Sequence, residues 1–402
     1  MKQNNKGITA FILAKNEEKN ISECIESIQS FVDEIIVIDN DSKDRTKEIA
    51  LEYGCIVKTI YEGSEAFLRN QYINLANYEW IFFIDADERA TVKFGKDLKM
   101  FIKNLKPNVL ALKVPINNYY GHGLWSTFQV FRLIRNECHI LYEDGDIHPT
   151  IAHCIKQLNG EIEFVPSSMQ HLDALIKKRS SSKRAQNMIK MIEVVNKKQG
   201  IEKYRLYNFL GVEYTAIKNY EIAEECYQKT IDNLPSYRNF ARIYKIMNYM
   251  QQKKYEDALK EINILFELNP ENFIGNYNYY DVKLKLKTYN PMEDDFLQRL
   301  CTILAEISLQ KKKVDNAKYW VGLAIYIWPF CAQHYLNLAS LTSDKEIFNI
   351  LINKSVELNP FLCDERIYLE GDKPNIYEHQ TSFLSSSKQI MNYNTFKEFN
   401  KS

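Results

Sequence analysis

Two carboxylates stand two positions apart at Asp85-Ala86-Asp87, directly after the apolar run of residues 80–84. Residues two apart on an extended chain point to the same side, so a strand ending here delivers both carboxylates in one direction. Paired hard oxygen ligands suit Mg²⁺ or Mn²⁺, which bridge the phosphates of a nucleotide. A metal held there would act as a Lewis acid on a departing diphosphate. The pair alone is a weak signal, because the same spacing is frequent on surface loops.

The elements around this pair alternate between short apolar runs and amphipathic segments up to about residue 170. The spacing predicts strands over 7–14, 34–38, 55–58 and 80–84, with helices over 17–31, 43–53 and 69–76. Such alternation implies an α/β domain with a mostly parallel sheet and helices on its faces. Ligands of these sheets bind beyond the carboxyl ends of the strands. Asp39 and Asp85 both follow predicted strands at that edge.

From about residue 200 onward the chain shows a helical repeat instead. Positions typical of the tetratricopeptide pattern are occupied by Tyr207, Leu210, Gly211, Tyr214, Ala223, Tyr227 and Pro235. The interval from alanine to proline recurs at 258–270 and 317–329, and a weaker copy ending at Pro360 has Phe348 in place of the small residue. A small alanine lets two helices approach closely, and the proline ends the second helix. We therefore expect at least three helix pairs in an all-α domain.

The bulk composition excludes several classes of protein. Lys plus Arg equals Asp plus Glu at 52 each, so no global basic field indicates nucleic acid as a partner. The eight cysteines show no spacing typical of a metal clip or redox pair, and we expect reduced packing residues. No stretch reaches the roughly 18 apolar residues of a membrane span, and the N-terminus has no signal-like apolar region. These features predict a cytoplasmic protein.

Four motifs, in order, resemble glycosyltransferase family 2, which has the GT-A fold. They are the opening strand and turn at 12–18, the segment 33–39 with Ser42, Asp44 and Thr46, the pair Arg69-Asn70, and the strand 80–87. The resemblance implies a GT-A domain that uses a nucleotide-sugar donor and a divalent metal, Mg²⁺ or Mn²⁺. A nucleotidyltransferase on a similar sheet is disfavoured, because the first strand is not followed by a Gly-rich phosphate loop.

The same resemblance implies a role for individual residues. Glu17 and Asp39 would read the base and ribose, since carboxylates accept hydrogen bonds from imide N–H and hydroxyl groups. Arg69 would meet the diphosphate, Asp85 the ribose or metal, and Asp87 would be the main metal ligand. The nucleotide-sugar site would also include Ala14, Asn16 and Ala86. The alternative roles are a turn or helix-cap residue for Asp39 and a first-turn carboxylate for Glu17.

The second half of the domain resembles a subgroup of the family at 131–133 and 144–148. The resemblance places Arg132 at the nucleotide sugar, and lets His148 and His171 complete the metal site or contact the diphosphate; the alternative for both is a histidine satisfied inside the domain. The subgroup has Glu after the first histidine, whereas this chain has Pro149, so no general base carries over from that position. The candidate bases lie in a short acidic loop and are Glu143, Asp144 and Asp146. The alternative is that this loop is a solvated turn without a catalytic role.

A family 2 domain followed by tetratricopeptide-like helices resembles the S-glycosyltransferases of glycocin biosynthesis, the sublancin type. This implies inverting transfer of a hexose or N-acetylhexosamine from a UDP-sugar to Cys or Ser of a bacteriocin precursor peptide. A thiol, with a pKa near 8.5, needs less help in losing its proton than an alcohol, so the missing Glu is compatible with cysteine. The helical array would cradle the peptide or form a homodimer surface. The alternatives are a cell-envelope polysaccharide glycosyltransferase and a non-catalytic scaffold with a vestigial GT-A domain.

These patterns predict a division of the chain into four parts. The glycosyltransferase domain would span 1–175, a basic linker helix 176–200, the helical repeats 201–365 and a tail 366–402. The basic residues of the linker form a solvated charged face or contact substrate phosphates.

Overall fold

The computed structural model describes residues 5–121, 124–136, 140–142, 151–172, 181–197, 199–268 and 291–368. The chain divides into two compact units, one comprising residues 1–119 and 128–176 and the other 120–127 and 177–402. A search of the helices in the described ranges found none with the length and hydropathy of a membrane span. Each cysteine in those ranges has a free thiol.

The described residues form a sheet of nine strands, which are numbered along the chain. They are β1 (Asn5–Ala14), β2 (Glu34–Asp39), β3 (Ile56–Thr59), β4 (Tyr78–Asp85), β5 (Glu88–Arg89), β6 (Val109–Gly121), β7 (Leu124–Arg135), β8 (Glu161–Phe164) and β9 (Met169–His171). Their order across the sheet is β3-β2-β1-β4-β7-β6-β9-β5, with β8 beside β6. The first four strands of that order pair in parallel, as predicted. Antiparallel pairing of β7 with β4 and of β5 with β9 makes the sheet mixed.

In the part of the first unit that the structure describes, six helices accompany these strands. They are α1 (Ile21–Ile28), α2 (Thr46–Glu52), α3 (Glu65–Arg69), α4 (Tyr72–Leu75), α5 (Val92–Lys103) and α6 (Ala152–Gln157). Strand β4 is apolar throughout its centre because both faces of the sheet are covered. Phe82 packs with α1 and α5 in one cluster, whereas Phe83 packs with Leu68 and Tyr72 in the other. The buried strands therefore fix the edge at which Asp39 and Asp85 emerge.

The helix predicted over residues 69–76 differs in the structure, where α3 and α4 divide this segment. The Ser64 hydroxyl accepts the Phe67 N–H at 3.1 Å, so the helix begins at Glu65 and Arg69 is its last residue instead of its first. The Asn70 side chain then exchanges hydrogen bonds with the backbone of Tyr142, at 2.9 and 2.8 Å. A side-chain cap and this long-range contact override the local helical pattern.

Apart from the strand residues 120–121 and 124–127, the regular structure in the described part of the second unit is helical. Its helices are α7 (Ser181–Lys197), α8 (Ile201–Ala216), α9 (Tyr220–Asn233), α10 (Arg238–Gln251), α11 (Tyr255–Leu268), α12 (Pro291–Gln310), α13 (Val314–Ile327), α14 (Ala332–Leu341) and α15 (Lys345–Leu358). The predicted all-α domain is thus confirmed. Helix α7 lies within the predicted linker, and Pro270 is outside the described residues.

The repeat residues occupy the helix contacts that their pattern predicts. Ala223, Ala258 and Ala317 are completely buried. Gly211 on α8 lies against the ring of Tyr227 on α9, where an added Cβ would stand 2.6 Å from Cε1. Pairs of helices therefore approach at small residues, as in a tetratricopeptide-like array.

Two glycine-to-alanine substitutions should move stability in opposite directions. Gly211→Ala forces a methyl group into the Tyr227 ring and should destabilise the protein by about 1–3 kcal/mol. Gly322→Ala, inside α13, places its Cβ where no atom lies within 4 Å and should stabilise by about 0.5–1 kcal/mol. Thermal unfolding followed by circular dichroism at 222 nm measures both changes. Equal effects of the two variants would contradict the close approach of α8 and α9.

Candidate functional site

Asp85, at the end of β4, joins two arginines from different elements. Arg69 Nη2, from the end of α3, donates to Asp85 Oδ1 at 3.0 Å. Arg132 Nη2, from β7 beside β4, donates to Asp85 Oδ2 at 2.7 Å. Arg69 Nε also donates to Glu65 Oε1 at 2.9 Å. Three residues predicted for the nucleotide-sugar site are thus brought together, and both oxygens of Asp85 are engaged by guanidinium groups.

The charges of this cluster stabilise one another. Burial alone would raise the pKa of Asp85, but Arg132 and Arg69 outweigh it and hold that pKa well below its usual range. Burial disfavours the charged form of each arginine, yet Asp85 keeps the pKa of both above the ordinary value. All three groups are therefore charged at physiological pH. The geometry fixes two cations side by side at the carboxyl edge of the sheet.

Glu88 is a member of this cluster that the sequence pattern did not single out. Its side chain is almost fully buried, accepts the backbone N–H of Asp85 at 3.1 Å and pairs with Arg132. Burial raises the pKa of Glu88 to about 7, although Arg132 opposes the shift. The sequence feature that could have identified Glu88 is an acidic residue directly after Asp87, in a turn that follows a buried strand. Arg132 therefore bridges two carboxylates.

The turn that carries Asp85 and Asp87 is also held by Arg89, which the sequence pattern likewise did not reveal. Arg89 Nη1 donates to the carbonyls of Ala86 and Glu88, both at 2.8 Å. Its Nε donates to Glu23 Oε2 of α1 at 3.2 Å. A buried guanidinium thus fixes the peptide between the two predicted carboxylate ligands.

Removal of the Arg89 guanidinium should loosen this turn. Arg89→Met keeps the apolar stem but leaves two carbonyls without their donor, and should cost about 1–3 kcal/mol of stability. Glu23→Gln is the matched control, because it alters only the half-exposed partner and should change stability by less than about 1 kcal/mol. Thermal unfolding measures both. If the two variants behave alike, the carbonyl contacts do not support the turn.

His171 lies beside Asp87 because β9 pairs with β5. The register opposes Glu88 to His171, and the Leu172 N–H donates to the Asp87 carbonyl at 3.0 Å. His171 Nε2 is 3.5 Å from Asp87 Oδ1, and its Nδ1 is 2.8 Å from Asn118 Oδ1. An amide oxygen only accepts, so Nδ1 carries a proton in this contact, and Nε2 is the ring nitrogen nearest to Asp87.

The donor set at Asp87 fits a divalent cation. A carboxylate oxygen and an imidazole lone pair at 3.5 Å repel each other unless a proton or a cation lies between them. Within the described ranges, no group of three or more His, Cys, Asp or Glu residues is arranged to hold a metal. Mg²⁺ commonly takes one or two carboxylates and completes its shell with water and substrate phosphates. A role of Asp85 as a further ligand stays a prediction, since both its oxygens bind arginine.

The residues predicted to read the base and ribose lie at the same edge. Asp39 ends β2, is buried, and accepts the Ser42 N–H on Oδ1 at 3.3 Å. Glu17 precedes α1, and its Oε2 accepts Asn20 Nδ2 at 2.7 Å. The contact of Asp39 fits its alternative role as a turn residue, whereas Glu17 lies before the first turn of α1. The nucleotide roles of both residues stay predictions.

Asn16 and Ala14 take part in the hydrogen bonds of the loop that follows β1, and their roles at the nucleotide sugar stay predictions. Asn16 has a positive φ of 58°; its Oδ1 accepts the Lys43 N–H at 2.7 Å and its N–H donates to Ser42 Oγ at 2.9 Å. The Ala14 carbonyl accepts the Asn40 N–H at 2.8 Å. Residues Glu143, Asp144, Asp146 and His148, named above as candidate bases and a metal ligand, lie outside the described residues.

Comparison with known proteins shows what the first part of the chain is similar to. Residues 9–160 match the family model described as glycosyl transferase family 2. An uncharacterized glycosyltransferase of Rickettsia typhi is 34% identical over 116 residues, which are 28% of this chain and 38% of that protein. The SPbeta prophage-derived glycosyltransferase SunS of Bacillus subtilis is 33% identical over 137 residues, 31% of each chain. The crystal structure of S. aureus TarS 1-349 covers 68% of this chain and 94% of that one, at 14% identity and a TM-score of 0.35. The chain thus matches less than two fifths of the length of either curated relative.

Proposed function

We propose that this chain, whose residues 9–160 match the model of glycosyl transferase family 2, has a glycosyltransferase domain of GT-A fold and transfers a sugar from a nucleotide-sugar donor to an acceptor. The observation that carries the proposal is the pair of buried arginines, Arg69 and Arg132, held on Asp85 beside Asp87 and His171. Two fixed cations next to a metal-ligand pair suit a departing diphosphate. The geometry of the donor half supports this function better than a scaffold role.

The arginines would bind and orient the diphosphate. Arg69 uses Nε for Glu65 and Nη2 for Asp85, which leaves Nη1 for a phosphate oxygen. Asp85 holds the guanidinium of Arg132 in a single orientation, so little rearrangement is required when the donor arrives. Asp87 and His171 would hold Mg²⁺ or Mn²⁺, which when bound neutralises charge on the leaving diphosphate.

A UDP-hexose or UDP-N-acetylhexosamine is the donor that we favour. Asp39 at the end of β2 and Glu17 before α1 offer carboxylates for the imide N–H of uracil and the ribose hydroxyls. In an inverting transfer the acceptor attacks the anomeric carbon opposite the diphosphate. The bond from that carbon to the phosphate oxygen breaks, its electron pair stays with the diphosphate, and the acceptor loses its proton to a base. The proposed bases remain Glu143, Asp144 and Asp146.

The acceptor that we favour is a cysteine, or a serine, of a precursor peptide. The identity with SunS and the tetratricopeptide-like helices support this choice. Extended concave helical arrays bind peptides, so the second unit would cradle the acceptor or associate with a second copy. A cytoplasmic location fits a nucleotide-sugar donor and the reduced acceptor thiol. An envelope polysaccharide acceptor would use the same donor site.

Intact-mass spectrometry tests donor and acceptor together. Candidate peptides with a single Cys, and the same peptides with Ser, are incubated with a panel of UDP-sugars and Mn²⁺ or Mg²⁺. We expect the mass of one hexose or one N-acetylhexosamine to be added to the Cys peptide, and no addition in EDTA. Transfer to oligosaccharides alone would favour the envelope alternative. Calorimetry showing no metal-dependent binding of any UDP-sugar would favour the scaffold.

A further inference from the structure

A row of three polar side chains crosses the edge strands next to the Asp87 turn. Residue His171 on β9 pairs with Glu88 on β5 on one side and with Asn118 on β6 on the other. The Asn118 amide oxygen lies 2.8 Å from His171 Nδ1. Asn118 meets the imidazole ring at Nδ1, whereas Asp87 lies nearest to Nε2. The ring of His171 therefore connects Asn118 to the proposed metal-ligand pair.

The hydrogen bond between Asn118 and His171 has a defined donor and acceptor, because an amide oxygen can only accept. The oxygen of Asn118 has lone pairs but no proton, so it stabilises the imidazole that carries its proton on Nδ1. In the opposite tautomer, a proton on Nε2 would point at Asp87 and block metal ligation, while the bare Nδ1 would face the amide oxygen. Metal-binding histidines commonly donate their second N–H to an oxygen acceptor, which fixes the tautomer and ring orientation.

We infer that Asn118 is the positioning residue that sets the tautomer and orientation of His171, so that Nε2 is available for a divalent cation beside Asp87. The inference rests on the proposed function, since it concerns the same site. Neither the motifs of the sequence nor the family comparison assigns a role to Asn118, which lies in the middle of a long strand.

The opposite face of β6 fixes the register on which this role depends. Asn117 is buried and donates from Nδ2 to Ser168 Oγ at 3.0 Å and to Gln170 Oε1 at 3.3 Å. The hydroxyl of Tyr119, also buried, contacts the same Gln170 oxygen. A shift of the strand register by one residue would turn the side chain of Asn118 to the buried face of the sheet and that of Asn117 to the face of His171. The buried amide layer thus holds Asn118 opposite His171.

Two substitutions distinguish the effect of the hydrogen-bond-accepting oxygen of Asn118 from the effect of its side-chain volume. Asn118→Leu keeps the approximate volume but removes the oxygen, whereas Asn118→Asp keeps an acceptor oxygen. The purified full chain, without donor, is titrated with Mn²⁺ by calorimetry. We expect Asn118→Leu to weaken Mn²⁺ binding by about 10–100-fold and Asn118→Asp to bind at least as tightly as the unaltered protein.

The tautomer is read independently in the metal-free protein. ¹⁵N-histidine labelling distinguishes Nδ1–H from Nε2–H, and His171→Gln assigns the signal. We expect a protonated Nδ1 in the unaltered chain and in Asn118→Asp, and a loss of the Nδ1 proton in favour of Nε2–H in Asn118→Leu. If the leucine variant does not fold, Asn118→Ser, which keeps a shorter oxygen, replaces it and should show a smaller shift of the same sign.

The outcomes distinguish this inference from the proposed function. Wild-type Mn²⁺ affinity and an unchanged Nδ1–H tautomer in Asn118→Leu would overturn the role of Asn118 and leave the transferase proposal intact. If the unaltered chain binds neither Mn²⁺ nor Mg²⁺, with or without UDP, the metal site itself is wrong and the inference falls with it. The hydrogen bond between His171 and Asn118 would then have a structural role only.

Discussion

Asp87→Asn should abolish sugar transfer, with kcat/KM lowered by at least about 10³-fold, equivalent to roughly 4 kcal/mol of transition-state stabilisation. The substitution keeps the shape of the side chain but removes the charge that faces His171 Nε2 across 3.5 Å. An amide oxygen binds a divalent cation more weakly than a carboxylate does, so the leaving diphosphate loses its counter-charge. Steady-state kinetics with a UDP-sugar and saturating Mn²⁺ measures the loss.

The control for this prediction is another aspartate of the same domain. Asp97 lies on α5 and pairs with Lys93 at 2.7 Å, and it takes no part in the site. Asp97→Asn should leave the free energy of activation within about 0.5 kcal/mol of the unaltered value. Transfer by Asp87→Asn at the rate of the Asp97 control would exclude Asp87 as a metal ligand.

The second large effect concerns stability and donor binding together. Arg132→Met leaves the buried Glu88 and the partly exposed Asp85 without their shared cation, and should cost about 3–5 kcal/mol of folding stability. It also removes one of the two guanidinium groups that we propose as ligands of the diphosphate. Urea unfolding measures the first loss, and calorimetric titration with UDP and Mn²⁺ measures the second.

The pH dependence of this defect follows from Glu88. Burial raises the pKa of Glu88 in the folded state to about 7, above its ordinary value of 4.5. A raised carboxyl pKa means that the folded state favours the neutral acid, so stability is lost as the pH rises from 4.5 through 7. The deficit of Arg132→Met should therefore be larger at pH 8 than at pH 5. The double variant Arg132→Met/Glu88→Gln should recover part of it, and additive losses would contradict the shared bridge.

The sequence was sufficient to predict the strands and helices that form because of their own residue pattern. Strands β1, β2 and β4 were predicted from their apolar runs, because a strand buried on both faces has little room for polar residues. Asp39 and Asp85 were placed at the sheet edge for the same reason. The small residues of the repeat predicted its helix contacts, since Ala223 and Gly211 lie where two helices come closest.

Contacts that depend on strand order could not be read from the sequence. Arg132 meets Asp85 because β7 inserts beside β4, and His171 meets Asp87 because the short strands β5 and β9 pair. Two- and three-residue strands carry no periodicity that distinguishes them from loops. The roles of Glu88, Arg89 and Asn118 depend on those pairings, so their residue types alone gave no indication of them.

The arginine bridge at Asp85 has a consequence for the order in which ligands bind. With Glu88 ionised, Arg69 and Arg132 are balanced by Asp85 and Glu88, so the cluster attracts a free diphosphate only weakly. Asp87 adds a negative charge that repels the diphosphate until a cation neutralises it. Metal and donor should therefore bind synergistically, each raising the affinity of the other by the same factor. The same coupling applies to product release. The nucleoside diphosphate and its metal ion should leave the protein as one complex.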